Sequence, residues 1–207
     1  KTHLPFIAPK KYWDIYNRNN IELAPYREKA ANSPAIAYHN AGELRNYGAD
    51  IKPLNEKGNS LQLPDEKQKE LIHGYYACVS YTDAQIGKLM TALKANGLDK
   101  NTVVVLVGDH GWHLGDHSLW CKHSNFEQAV RAPLLIAAPG ITNGKKYEEP
   151  VEFVDIYPTV CQLAGLPVGK YLDGKSLLNP LKGKKLKGNA LAFSQYPRGA
   201  GDGPKET

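Results

Sequence analysis

Residues 108–123 read Gly-Asp-His-Gly-Trp-His-Leu-Gly-Asp-His-Ser-Leu-Trp-Cys-Lys-His. Two carboxylates, four histidines and a lysine thus fall within the 15 residues from Asp109 to His123. Buried polar groups are costly without partners, so packing alone does not account for such density. Asp109 and a neighbouring ligand could take a hard divalent ion, leaving Lys122 to hold an anion. His110, His113 and His117 could instead take zinc. Spacing alone leaves both chemistries open. Gly108, Gly111 and Gly115 permit the tight turns such a loop needs.

The elements that must position this loop follow an α/β grammar. Residues 102–107 form a β-branched run without alternation, which predicts a strand buried on both faces of a mostly parallel sheet. Open α/β sheets bind ligands at the carboxyl ends of their strands, and the loop begins there. A second such run, 134–138, ends at Pro139-Gly140. Upstream, Asp65 is predicted as an N-cap with Gln68 completing a capping box. Apolar residues at Ile72, Tyr75, Tyr76, Val79, Ile86, Leu89, Met90 and Leu93 then predict a long helix over 66–96, its aromatic stripe facing the core. Asn96-Gly97 supplies the stop. Residues 152–165 return to helical spacing, with Phe153, Ile156, Val160 and Leu163 on one side. Residues 1–64 read as irregular, with one short helix at 10–17, and loops this long usually pack around a site. Without repeats or a boundary signal, 1–207 reads as one α/β domain with a basic C-terminal loop region at 175–207.

Composition excludes several classes. With 42% hydrophobic and 23% charged residues the chain is globular rather than disordered. No apolar run is long enough for a membrane helix, so no membrane span is expected. The formal charge of +5 is concentrated at Lys175, Lys182, Lys184, Lys185 and Lys187, a solvated loop or a contact for an anionic polymer. Nucleic acid is not an expected partner, because that run carries no interleaved aromatics and no accompanying motif. Three cysteines without CxxC spacing argue against zinc ribbons and redox pairs, and Cys78 and Cys161 read as buried thiols. The opening Lys1-Thr2-His3 carries neither Met nor a secretory signal, which points to a processed or interior segment.

The loop sequence, with Lys122-His123-Ser124-Asn125-Phe126 following Trp120-Cys121, closely resembles that of the iduronate-2-sulfatase-like branch of the sulfatases. Further motifs of that branch occur in order. Lys1-Thr2-His3-Leu4-Pro5-Phe6 is similar to its Lys-Pro-His-x-Pro-Phe segment, with Thr2 in place of Pro. Ala132-Pro133-Leu134, Val154-Asp155-Ile156-Tyr157-Pro158-Thr159, Asp173-Gly174-Lys175-Ser176-Leu177 and Ser194-Gln195-Tyr196-Pro197-Arg198 follow.

That resemblance implies an alkaline-phosphatase/sulfatase-like α/β fold, a mostly parallel sheet sandwiched by helices. It implies Ca2+ held by Asp109 and His110, with Lys122 and His3 as catalytic contacts to a sulfate ester. Lys1, Trp112, His113 and His117 become candidate contacts to a sulfated carbohydrate, uronate-containing or a related anionic polysaccharide. The family's nucleophile is a formylglycine made in a Cys/Ser-x-Pro-x-Arg motif, and no cysteine or serine here stands in one. The early aspartate pair of the family's calcium site is missing too. The resemblance therefore implies an N-terminal portion of the same enzyme as partner, and a secreted, periplasmic or lysosomal location. A phosphate or phosphonate ester hydrolase of the same superfamily, using a transition metal, is one alternative. An inactive carbohydrate-binding homologue is another.

Overall fold

A computed structural model of the chain describes residues 2–39, 41–48, 51, 63–142, 144, 146–186 and 191–197. Lys1, Lys187 and Arg198, singled out from the sequence, lie outside the described residues. In chain order the elements are α1 (Lys10–Trp13), α2 (Gly42–Tyr47), α3 (Asp65–Ala95), β1 (Val104–Val107), β2 (His113–Leu114), β3 (Trp120–Cys121), α4 (Glu127–Val130), β4 (Leu134–Ala137), α5 (Ile156–Leu163) and α6 (Leu178–Leu181). They fall into two compact units, one of Lys1–Leu89, Asp109–Ala132 and Tyr196–Thr207, the other of Met90–Gly108 and Pro133–Gln195. The chain passes between the units several times, so no linker marks the division in the sequence.

In the first unit, Leu4, Ile21, Leu44, Ile72, Trp120 and Cys121 share one buried cluster. Helix α3 carries its core face early: Ile72 is 2% exposed, and Ala77 and Cys78 are fully buried. Its stripe then surfaces, with Val79 42% and Leu89 70% exposed, so the predicted core face holds only over the first turns. The predicted capping box does not form. Asp65 is itself the first helical residue and accepts from Arg27 Nη1 at 2.8 Å, while Gln68 Nε2 donates to the Leu63 carbonyl at 2.7 Å. The C-terminal stop is as predicted. Gly97 takes φ +68°, its N–H donates to Lys94 O, and Leu98 N–H donates to Leu93 O, a Schellman closure. The irregular N-terminal stretch is pinned to α3 through His73, which bonds the Trp13 carbonyl at 2.8 Å and Arg18 Nε at 3.3 Å.

In the second unit, β1 pairs with β4 antiparallel, Val104 opposite Ala137 and Val107 opposite Leu134. This departs from the expected parallel, doubly buried strand: Leu106, Val107 and Leu135 are 39, 42 and 56% exposed. An unbroken β-branched run reports affinity for apolar cover, and it carries no information on strand direction. Among the described residues the other ladder, β2 with β3, is also antiparallel.

The short 3-10 turn Phe153–Asp155 that leads into α5 is closed by a reciprocal cap between Glu152 and Asp155. The Asp155 carboxylate is buried and accepts from both Glu152 N (3.0 Å) and Lys175 N (2.7 Å). Thr159, also buried, accepts from Leu177 N at 2.8 Å. These bonds explain two of the sequence motifs structurally: the 154–159 segment is the anchor for the 173–177 turn. Phe153 and Val160, predicted on a buried side, are 47 and 37% exposed. Gly174 lies so close to α5 that an added Cβ would stand 1.9 Å from the Val154 carbonyl oxygen. Gly174→Ala is therefore expected to destabilise this unit by about 1–3 kcal/mol, read as a lowered thermal midpoint; an unchanged midpoint contradicts the packing described.

Candidate functional site

The site loop, 109–123, is fastened on both sides within the first unit. Gly111 N–H donates to Ala129 O at 2.7 Å, and an added Cβ at Gly111 would lie 2.1 Å from the Gln128 carbonyl oxygen. Only glycine allows the loop to press so closely on α4. Farther along, His117 N–H donates to Tyr26 O, Ser118 Oγ to Arg27 O, and His117 Nδ1 lies 3.0 Å from Glu28 O. His117, Ser118 and Cys121 all take positive φ to make this path.

At the end of the loop, Lys122 Nζ stands 3.1 Å from His3 Nε2, although 119 positions separate them in the chain. Between them is Glu43 on α2, whose Oε1 is 2.6 Å from Lys122 Nζ and 3.0 Å from His3 Nε2. Its second oxygen is 3.6 Å from His123 Nε2. His3 Nδ1 lies 2.7 Å from the Leu4 carbonyl, so Nδ1 carries a proton, and Nε2 is the nitrogen turned to the pair. Burial works to raise the Glu43 pKa, but the Lys122 hydrogen bond and charge, with His123 and His3, outweigh it and hold the carboxyl below its usual value. Beside it, burial and the Glu43 charge push the Cys121 thiol well above its ordinary range. That thiol is not a nucleophile. Glu43 carries no sequence signal: α2 is six residues long, and Leu44 is its one buried side chain.

Asp109 and His110 are adjacent, His110 Nε2 lying 3.6 Å from Asp109 Oδ1. His110 Nδ1 is 2.7 Å from Gly111 O, which makes it the donor and leaves a lone pair on Nε2. A lone pair facing a carboxylate repels unless a proton or cation lies between, and the Asp109 side chain is 92% exposed. The two residues fit a cation's needs. Calcium takes about six to eight oxygens, so these two can be only part of its shell. Among the described residues no group of three His, Cys, Asp or Glu side chains could hold a metal.

Trp112 joins the two halves. Its ring packs against His110, His3 and Phe6, each at 6.0 Å between centroids, and stacks on Tyr75 at 6.0 Å and 25°. Lys122 Nζ lies 5.3 Å from its centroid, in cation–π range.

The family model for sulfatases matches residues 2–166. The chain belongs to the sulfatase family. It is 33% identical to iduronate 2-sulfatase of Mus musculus over 97% of this chain and 44% of that protein. It is 32% identical to a sulfatase of Formosa agariphila, covering 95% of this chain and 37% of the relative. The chain thus spans less than half the length of these relatives. A solved phosphonate monoester hydrolase of Agrobacterium radiobacter is 28% identical with a TM-score of 0.70, over 91% of this chain and 38% of that one. A structure solved in complex with its substrate D-glucosamine-2-N,6-O-disulfate has a TM-score of 0.74 at 20% identity, covering 95% and 50%. These likenesses bear out the alkaline-phosphatase-like α/β fold, of which this sulfatase chain forms part. No helix among the described residues is long and apolar enough to cross a membrane.

Three of the candidate carbohydrate contacts have partners within the protein. Trp112 is the hub of the site. His117 is committed to the loop, its ring 5.2 Å from Phe126. His113 is fully buried on β2, with Nε2 2.7 Å from Ser124 Oγ and, among the described residues, no hydrogen-bond partner for Nδ1. A side chain with no exposure cannot touch a substrate. Burial first, then the His117 charge, depresses the His113 pKa to about 4. An imidazole with a depressed pKa stays neutral in the folded state while the unfolded chain takes up a proton. Stability is therefore full above pH 6.5 and falls as the pH drops from there toward about 4. The loss is expected to be roughly 3 kcal/mol, measured by denaturant unfolding across that range. A His113→Gln variant, which retains a donor for Ser124, should show a flatter profile; an identical acid slope contradicts the assignment.

Proposed function

We propose that the chain is the C-terminal part of a catalytic domain that hydrolyses sulfate esters on a sulfated carbohydrate, uronate-containing or a related anionic polysaccharide. The observation that carries this reading is the meeting of Lys122 and His3, 3.1 Å apart beside the Trp112 ring, with His110, next to Asp109, packed against the same ring. Relatives named iduronate 2-sulfatase and a fold neighbour solved with a disulfated glucosamine support the carbohydrate target.

In this reading an N-terminal portion of the same enzyme would carry the formylglycine nucleophile, and Asp109 and His110 would hold part of a Ca2+ shell that would supply positive charge for the sulfuryl oxygens. Lys122 holds one of those oxygens through its ammonium as charge builds on it. His3, oriented by the bond its Nδ1–H makes to Leu4 O, gives in its imidazolium form the Nε2 proton that the leaving sugar oxygen takes, and is left as neutral imidazole. Burial of Lys122, 19% exposed, strengthens its pull on the anion by excluding water. A secreted, periplasmic or lysosomal location accords with such a substrate.

Lys122→Ala in the full-length protein is expected to lower kcat/KM for a sulfate ester by about 10²–10³ with folding intact; an unchanged rate removes Lys122 from the mechanism. Likeness to a phosphonate monoester hydrolase favours a second reading, ester hydrolysis at phosphorus. Bound calcium with preference for the sulfate ester supports the first. Zinc or manganese with preference for a phosphonate monoester supports the second, and carbohydrate binding without turnover supports an inactive homologue.

A further inference from the structure

We propose that Glu43 is the positioning residue of the Lys122–His3 anion site, holding both groups on one carboxylate oxygen and yielding His3 to the anion when it binds. The inference rests on the sulfate-ester reading above and adds a residue to it. Both contacts converge on Oε1, at 2.6 Å from Lys122 Nζ and 3.0 Å from His3 Nε2. An anion oxygen held by the same two nitrogens would need that same point in space. Lys122 has three N–H donors and can serve both acceptors, whereas His3 Nε2 has at most one proton and cannot. His3 must therefore exchange Glu43 for the anion.

The surroundings suit that exchange. Glu43 is the most deeply placed member, its side chain 12% exposed against 19% for Lys122 and 38% for His3, so the anion approaches from the open side and the carboxylate lies behind. Leu44, 2% exposed, fixes the backbone of α2 in the core. His123 Nε2, 3.6 Å from the second Glu43 oxygen, and the buried Cys121 thiol lie beside the carboxylate. Its negative charge also opposes a bound dianion, which favours release of product sulfate over its retention.

The test uses purified full-length protein, 4-nitrophenyl sulfate as substrate and inorganic sulfate as competitive inhibitor. Glu43→Gln keeps the volume and one hydrogen bond but removes the charge. It is expected to lower kcat roughly tenfold or more. Inorganic sulfate should then inhibit about tenfold more tightly, with an unchanged thermal midpoint. Glu43→Asp, which keeps the charge, should return sulfate inhibition toward the native strength. A Gln variant with native kcat and native inhibition overturns the proposal. So does one in which the thermal midpoint falls and sulfate binding weakens, because that is the signature of a merely structural residue. Lys122→Ala run in parallel separates the two failures: if it too leaves kcat unchanged, the sulfate-ester reading falls and Glu43's role with it.

Discussion

The Lys122 ammonium, 19% exposed and held 3.1 Å from the His3 imidazole, requires a counter-charge, and the carboxylate of Glu43 supplies it. Burying paired charge is stabilising only when geometry and hydrogen bonding are both good. Much of the first unit serves that condition. The Leu4 carbonyl fixes the His3 ring, the core holds Leu44 beside Glu43, and β3 presents Cys121 directly ahead of Lys122. Hydrogen-bond donors gathered on an open side are then a ready receiver for an oxyanion.

Trp112 extends that arrangement to the acidic side of the loop. One indole touches the imidazoles of His3 and His110 and lies under the Lys122 ammonium, so a shift in any one partner moves the others. Its own position depends on Gly111, where no side chain fits against Gln128. The loop's glycine and tryptophan thus have different tasks: the first allows close approach, the second transmits it.

Much of this was legible in the sequence. The 109–123 loop announced itself by density of polar residues, α3 by its three-and-four spacing, and its end by Asn96-Gly97. The pairing of His3 with Lys122 came from ordered motif resemblance, since no periodicity connects residues so distant. What was not legible has physical causes. Glu43 sits on a helix too short for a periodic pattern, and a lone Glu beside Leu looks like any solvated residue. His113 reads like its neighbouring histidines because burial is a tertiary property. The antiparallel pairing of β1 and β4 was hidden because a β-branched run specifies cover and not direction. Val79 and Leu89 were assigned to the core by spacing, which says that a helix face wants cover without saying where the cover ends.

The central claim is that Lys122, His3 and the Asp109–His110 pair form one oxyanion site. A crystal structure of the full-length protein with Ca2+ and inorganic sulfate tests it most directly. The account predicts a single sulfate bonded to Lys122 Nζ and His3 Nε2, with Ca2+ on Asp109 and His110 touching the same anion. Sulfate bound away from Lys122 and His3, or a metal that ignores Asp109, would contradict it.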